Sequence, residues 1–261
     1  MDRAKRRQLL KDDQALIGKP FELANNARAV QANTRHLALL LLDSHIKRRA
    51  SRAAALTAQL LDATTLRKAQ GPVACSKGCY YCCKTYVSAT IPEILRLAHA
   101  VRGKTEKQAR VAAAGLASQA IPAPDREIRR VVCPILEDKA CSEYAARPLV
   151  CRAVLSSSLP TCLRIFEENS GEAMPHADNT VDIRTYIVLI MQSALVLSGL
   201  PHFHYEMNQA LATALRHDDA EARWLAGEPI FADVPVDPSE LQPSPLTDLV
   251  RRLVNVVQPT L

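Results

Sequence analysis

The sequence has few aromatic residues, few glycines and no apolar run long enough to cross a bilayer. Phe, Trp and Tyr make up 4% of the 261 residues, and Gly occurs eight times. Ala and Leu dominate instead, a composition that favours helices over sheets. No apolar leader opens the chain, which begins Met1-Asp-Arg-Ala-Lys-Arg-Arg7. Export is therefore not expected, and a cytoplasmic location is. The most apolar stretch, 186–200, contains Gln192 and Ser193. A membrane span needs ~20 such residues, so a buried core helix is expected there and no membrane partner. A glycine-rich phosphate loop, a Ser/His/Asp constellation, a paired-carboxylate motif and an internal repeat are all missing. Cysteine is absent before residue 75, between 83 and 133, and after 162.

Charge is unevenly placed. The net value is +6, but residues 1–70 hold 14 Lys/Arg against 6 Asp/Glu, while 217–261 hold 3 against 8. No aromatic residues interleave with the N-terminal basic ones, as single-strand binding requires. Solvated helix faces are expected here, and nucleic acid is not an expected partner.

What is present is a concentration of thiols. Cys75-Ser-Lys-Gly-Cys79-Tyr-Tyr-Cys82-Cys83 puts four of the eight cysteines within nine residues. A second segment carries Cys133-Pro-Ile-Leu136, Cys141, Tyr144, Arg147-Pro148 and Cys151-Arg152, and Cys162 follows. Cysteines used as small core residues would scatter through the helices. In a reducing compartment, bunched thiols point to metal chemistry ahead of disulfides.

Around these segments the pattern is helical. Residues 2–17 read as a basic helix stopped by Gly18 and Pro20. Residues 26–68 lack Gly and Pro and read as one long amphipathic helix, or two end to end. Thr90-Ile-Pro92-Glu93 has capping-box spacing and starts a helix to Val101; another runs from about Thr105 to Gln119. Pro122 and Pro124 mark a loop, with one helical turn expected over 125–130. A short helix is expected over 142–146, and loop over 156–162 and 163–180. Helices follow at 180–198, 204–215 and 219–226. The prolines from Pro229 to Pro245 hold an extended stretch before a terminal helix over 245–257. The fold expected is all-α, with an irregular cysteine-rich metal-binding insert and little or no β. Three parts are expected: a basic helical segment (1–70), a cysteine-cluster domain with a central buried helix (71–228), and a Pro-rich segment with a C-terminal helix (229–261).

Thiolates are soft ligands suited to zinc or an iron–sulfur cluster. Cys75, Cys79 and Cys82 stand at i, i+4 and i+7, one face if the segment is helical, with Gly78 allowing close backbone approach. Cys82 and Cys83 are adjacent and awkward as terminal ligands of one ion. One arrangement places Cys75, Cys79, Cys82 and one thiol of the second segment around a four-iron cluster, with Cys83 turned elsewhere; another divides eight thiolates between two centres. Structural zinc sites pair short knuckles at two places in a chain, and the dense first segment departs from that pattern, which favours an iron–sulfur cluster, [4Fe-4S], over zinc. Arg147 and Arg152 are cofactor-binding candidates, because guanidinium groups offset a cluster's negative charge. Tyr80, Tyr81 and Tyr144 are candidates to shield it from water.

Two resemblances follow from these residues. The Cys-x3-Cys-x2-Cys run resembles the cluster motif of radical S-adenosylmethionine enzymes, but those are β/α barrels, and no strand–helix alternation is visible here. The whole pattern, from Cys75-x3-Cys79-x2-Cys82-Cys83 through Cys133-Pro, Cys141 and Arg147-Pro-x-x-Cys151-Arg152, resembles the CxxCxxCC family of zinc- or iron-chelating domains over about 73–162. That resemblance implies a metal-chelating protein, and through a relative, the flagellin lysine-N-methylase, an alternative function: transfer of a methyl group from S-adenosylmethionine to lysine of a protein substrate.

The metal candidates are thus Cys75, Cys79, Cys82, Cys83, Cys133, Cys141, Cys151 and Cys162, the last either an eighth ligand or a buried thiol. His202 and His204 are expected at the surface or at a cap. His176 and Asp178 lie in a loop where they could line a pocket. No catalytic residue is named by the sequence.

Overall fold

The computed structural model describes residues 2–122, 125, 129 and 131–261. The loop expected at Pro122–Pro124 and the turn at 125–130 fall largely outside those residues. The described chain is mostly helical: α1 (Arg3–Gln14), α2 (Ala27–Leu42), α3 (Arg49–Lys68), α4 (Ile91–Val101), α5 (Thr105–Gln119), α6 (Leu149–Ala153), α7 (Leu159–Glu167), α8 (Thr180–Leu197), α9 (Met207–Leu215), α10 (Ala220–Leu225) and α11 (Pro245–Val257). Four short strands, β1 (Ser88–Thr90), β2 (Leu136–Glu137), β3 (Ala140–Cys141) and β4 (His204–Glu206), make two antiparallel pairs, β1 with β4 and β2 with β3.

Helix α8 is the centre. Its length and composition alone would allow it to cross a membrane. Here Ile183, Ile187, Ile190, Met191, Ala194 and Leu195 are fully buried, and α2, α3, α6 and α11 pack around it. Its buried Gln192 is satisfied, donating from Nε2 to Glu240 Oε1 at 3.1 Å. Burying such side chains supplies about 1.5–3 kcal/mol each, so this face holds the scaffold together.

A second layer runs α3, α4, α9, α5. Strands β1 and β4 feed directly into α4 and α9, and pair Ser88 with Glu206 and Thr90 with His204. The expected capping box is present: Thr90 N donates to Glu93 Oε2 at 2.9 Å. Helices α5 and α9 approach closely at Gly115, where an added Cβ would lie 2.8 Å from Ala212 Cβ and 3.3 Å from the Asn208 carbonyl oxygen.

Of the two readings of 26–68, two helices end to end is the one found: Asp43 caps a turn by accepting from His45 N at 2.9 Å and Arg48 takes a left-handed conformation (φ 54°). Three expectations are corrected. The loop expected over 156–180 contains α7. Pro160 reads as a breaker, but it sits in the first turn of a helix, where proline is favoured, and Ser158 caps that turn by accepting from Thr161 N. The helix expected at 204–215 begins only at Met207: residues 204–206 are strand, and Glu206 accepts from Asn208 N and Gln209 N. The short helix expected over 142–146 is a 3-10 turn, Tyr144–Ala146.

Gly115→Ala is expected to destabilise the protein by about 1–3 kcal/mol, since overpacking of two helices outweighs the ~1 kcal/mol helix-propensity gain of alanine. Adding Ala212→Gly should restore much of the loss. Urea unfolding of the two variants checks this.

Candidate metal centre

The helical layers deliver four irregular segments to one end of the fold. Following α3, residues 70–75 run extended. Gly71-Pro72 ends the helical run, and Ser76–Cys79 makes a turn closed by Cys79 N donating to Ser76 O at 3.0 Å. Gly78 sits there at φ 92°, a left-handed geometry that glycine adopts without cost. A Cβ on it would meet nothing within 4 Å, so conformation, and not close approach, is the reason for glycine. Cys82 and Cys83 lie in a 3-10 turn, Tyr81–Lys84. Cys75, Cys79 and Cys82 are therefore not on one helical face: the spacing is realised by an extended strand, a turn and a 3-10 turn in succession.

The second segment begins where the first ends, with Cys133 N donating to Cys83 O at 2.8 Å. It then makes a tight hairpin, β2 to β3, turning through Asp138 and Lys139, both at positive φ, as a two-residue hairpin turn demands. Cys141 closes the hairpin opposite Leu136. Helix α5 holds this hairpin down: Lys107 Nζ meets Glu143 Oε1 at 2.5 Å and Glu137 Oε2 at 3.6 Å, and Arg110 pairs with Glu137.

Cys151 lies in α6, whose start is anchored by Leu149 N donating to Glu93 Oε1 at 2.6 Å. The same carboxylate thus caps α4 and fixes the Arg147-Pro148-Leu149 corner. Arg152 is 4% exposed at its side chain and forms a buried hub. It donates to Asp62 at 2.5 Å and to the carbonyls of Arg147 (3.0 Å), Tyr144 (3.3 Å) and Ala145 (2.5 Å). Its guanidinium is committed to shaping the segment. Arg147 is different: its Nη2 reaches Tyr144 Oη at 2.8 Å, its guanidinium carbon lies 3.8 Å from the centre of that ring, and its Nε is buried with no partner among the described residues.

The remaining two segments run beside residues 70–75. Ala74 N donates to Ser156 O, Ser157 N to Pro175 O, and Ala177 N to Leu155 O, each at 2.8 Å, and Gln70 exchanges hydrogen bonds with Asp178. Cys75 Sγ accepts from Ser156 N at 3.2 Å. Cys162, on α7, is buried, and α7 packs on the 3-10 turn that carries Cys82 and Cys83.

All eight cysteines are free thiols, seven of them half-buried. Electrostatics sorts them into two neighbouring sets. Burial pushes the Cys75 and Cys79 thiols above the ordinary thiol value, and the charges of Cys82 and Cys162 add to both shifts. Burial likewise raises Cys133, to about 11, with Cys141 and Cys82 adding to it. Cys151 is raised by burial and then by Cys133, Cys82 and Cys141, against an opposing pull from Arg147. Burial also raises Cys141, again opposed by Arg147 after a backbone N–H at Glu143. Cys82 belongs to both sets; its hydrogen bond with Cys83 raises it most, followed by burial, and Arg147 pulls the other way. Charge coupling thus links Cys75, Cys79 and Cys162 with Cys82, and Cys133, Cys141 and Cys151 with Cys82. Among the described residues, no three His, Cys, Asp or Glu side chains are already drawn together as an ion's ligand shell.

The histidines stay outside these sets. His204 is tied to Glu240: its Nδ1–H donates to one carboxylate oxygen and its backbone N–H to the other, the latter at 2.9 Å. Burial alone would depress it, but Glu240 overcomes that and holds it above the ordinary imidazole value. His202 stacks on Phe203. His176 lies in the backbone ladder opposite Ser156, with Nδ1 buried and unpartnered among the described residues. Tyr80 and Tyr81 stack on each other at 5.0 Å, and Tyr144 is 60% exposed.

The donor set fits a soft metal. All eight cysteines are free thiols, and burial, with neighbouring thiols adding to it, raises the cost of ionising Cys75, Cys79, Cys133 and Cys151, a cost that a bound cation removes. Residues 74–177 match the CxxCxxCC family, described as "Putative zinc- or iron-chelating domain", and the matched stretch holds all eight cysteines. No curated protein and no solved structure matches the chain. The cysteine-bearing part of the chain is thus similar to a zinc- or iron-chelating domain, and it is set into a helical scaffold.

Arg152→Met should lower stability by about 3 kcal/mol, since buried carbonyls left without a donor cost about 1–3 kcal/mol each. Arg152→Lys should recover only part of this, because an ammonium cannot reproduce the guanidinium fork. Urea unfolding of the metal-loaded variants measures both; losses within ~0.5 kcal/mol would remove Arg152 from its hub role.

Proposed function

We propose that this zinc- or iron-chelating domain holds an iron–sulfur cluster on Cys82, Cys133, Cys141 and Cys151, and that Cys75, Cys79 and Cys162 form a second thiolate centre beside it. The observation that carries the reading is that one guanidinium, Arg147, offsets charge at three thiols drawn from both cysteine segments, Cys82, Cys141 and Cys151. A cluster ligated by four thiolates carries net negative charge, and a guanidinium beside its sulfurs stabilises that charge and tunes the potential. When bound, such a cluster supplies one-electron redox chemistry or a structural clamp. The chain's own residues position it: Glu93 fixes the corner before Cys151, Arg152 shapes the 144–152 turn, and Lys107 pins the hairpin that carries Cys141.

Cys83 gives its carbonyl to Cys133 N and its thiol to Cys82, which places it as a structural neighbour or an exchangeable ligand. The protein in this reading is a redox-active or structural metal module in a reducing, cytoplasmic setting. Lysine methylation with S-adenosylmethionine rests on the family resemblance alone, and no residue is assigned to it.

Protein purified without air is expected to contain iron and labile sulfide in about equal amounts, with a broad absorption band near ~400 nm from thiolate-ligated iron. Cys151→Ser should abolish that band, whereas Cys162→Ser should leave it. Colourless protein with zinc and no sulfide would assign a zinc module instead.

A further inference from the structure

Residues 235–241 lie as a strap along β4. Glu206 N donates to Pro235 O at 2.9 Å and Asp237 N to His204 O at 2.8 Å, with Tyr205 opposite Val236. Two side chains of the strap fasten it further. Asp237 Oδ2 accepts from Ser88 Oγ at 2.6 Å, a tie to β1, the strand that follows the first cysteine segment. Glu240, in a 3-10 turn over Pro238–Leu241, receives three donors: the His204 ring at Nδ1, the His204 backbone N–H at 2.9 Å and Gln192 Nε2 of α8 at 3.1 Å. The His204 and Glu240 side chains are largely shielded from water, at 14% and 18% exposure. Strand β4, the strap and the central helix α8 thus meet on one carboxylate, and the strap leads on into α11.

We propose that His204 is a proton-operated latch: while its imidazole is protonated it locks the 235–241 strap onto β4 and α8 through Glu240, and loss of the proton lets the strap lift. The groups around the ring are mostly acidic. Glu240 and Asp237 face it from the strap and Glu93 from the start of α4, while β1 carries no titratable side chain and α8 presents the neutral Gln192. On its own strand, Glu206 is engaged in capping α9, and burial keeps the Tyr205 phenol neutral. Burial would depress His204, but the Glu240 hydrogen bond and charge, with Glu93 and Asp237, overcome it. Burial does lower His202, so between the two values His202 is neutral while His204 is charged. A histidine held above its ordinary value stabilises the folded arrangement fully below that value, and the stabilisation is lost as pH rises through the latched one. A neutral ring keeps its Nδ1–H bond but loses the charge that makes such a bond roughly twice as strong. Glu240 is then left largely buried without a counter-charge. The latch is closed on the acid side and opens toward the alkaline side.

The test uses the full metal-loaded chain with carbon-13-labelled histidine. Amide exchange is read across the titration at Asp237 and Glu206, whose hydrogen bonds join strap and strand, and corrected for the intrinsic pH dependence of exchange. The His204 ring resonance, identified by its loss in His204→Gln, is expected to titrate above the ordinary imidazole value of ~6.5. Protection of the two amides should fall as pH rises through that titration, about tenfold for each pH unit by which the latched value exceeds the ordinary one, while α8 keeps its protection. Glu240→Gln should bring the titration down and leave the two amides independent of pH, with α8 protection showing that the variant is folded. If that variant does not fold, the wild-type profile decides alone. A ring that titrates at or below the ordinary value, or amides whose protection does not change across its titration, would overturn the proposal.

Discussion

Burial disfavours ionised thiols, neighbouring thiolates add to that cost, and the chemistry of the cysteine segments follows from it. Cys75, Cys79, Cys82, Cys133, Cys141 and Cys151 all sit above the ordinary thiol value, through burial first for five of them and, for Cys82, through its bond with Cys83. Left alone, such a shell stays protonated and has little reason to remain gathered. A cation reverses the sign: each thiolate it binds is stabilised, and the proximity that was costly becomes the source of affinity. The same linkage makes metal affinity fall as pH falls, since protons and metal compete for the same sulfurs.

The helical scaffold makes that shell possible by fixing the ends of segments too irregular to fix themselves. Helix α8 is buried along most of its length and anchors α2, α3, α6 and α11. From that frame, three buried or half-buried charged side chains reach into the cysteine region. Glu93 spans the starts of α4 and α6, Arg152 gathers three carbonyls of the 144–147 turn, and Lys107 grips the hairpin through Glu143. These contacts set backbone positions to within hydrogen-bond tolerances, while leaving the sulfurs free to close on an ion.

Much of the scaffold was legible in the sequence because its signals are local. The capping box at Thr90 and Glu93, the Gly199-Leu-Pro201 stop and the Pro245–Val257 helix all depend on residues a turn apart. The failures came where a residue has two meanings. Pro160 marks a loop or the first turn of a helix, and it is the latter. Strands β1 and β4 are three residues each, too short to show alternation, and exist because Val87 to Thr90 finds a distant partner. At the site, the family pattern identified the cysteines and the Arg-Pro corner. It gave no sign that Arg152 is a buried hub for backbone carbonyls while Arg147 lies against Tyr144, since both are arginines in one short motif.

The central claim is that metal, more than packing, holds the cysteine segments and the strand beside them against the helices. Amide hydrogen exchange on the metal-loaded protein, before and after removal of metal by a strong chelator, tests it directly. The account predicts that protection collapses over 71–87, 131–158 and 170–178 while α2, α3 and α8 keep theirs. Equal protection of those segments with and without metal would contradict it.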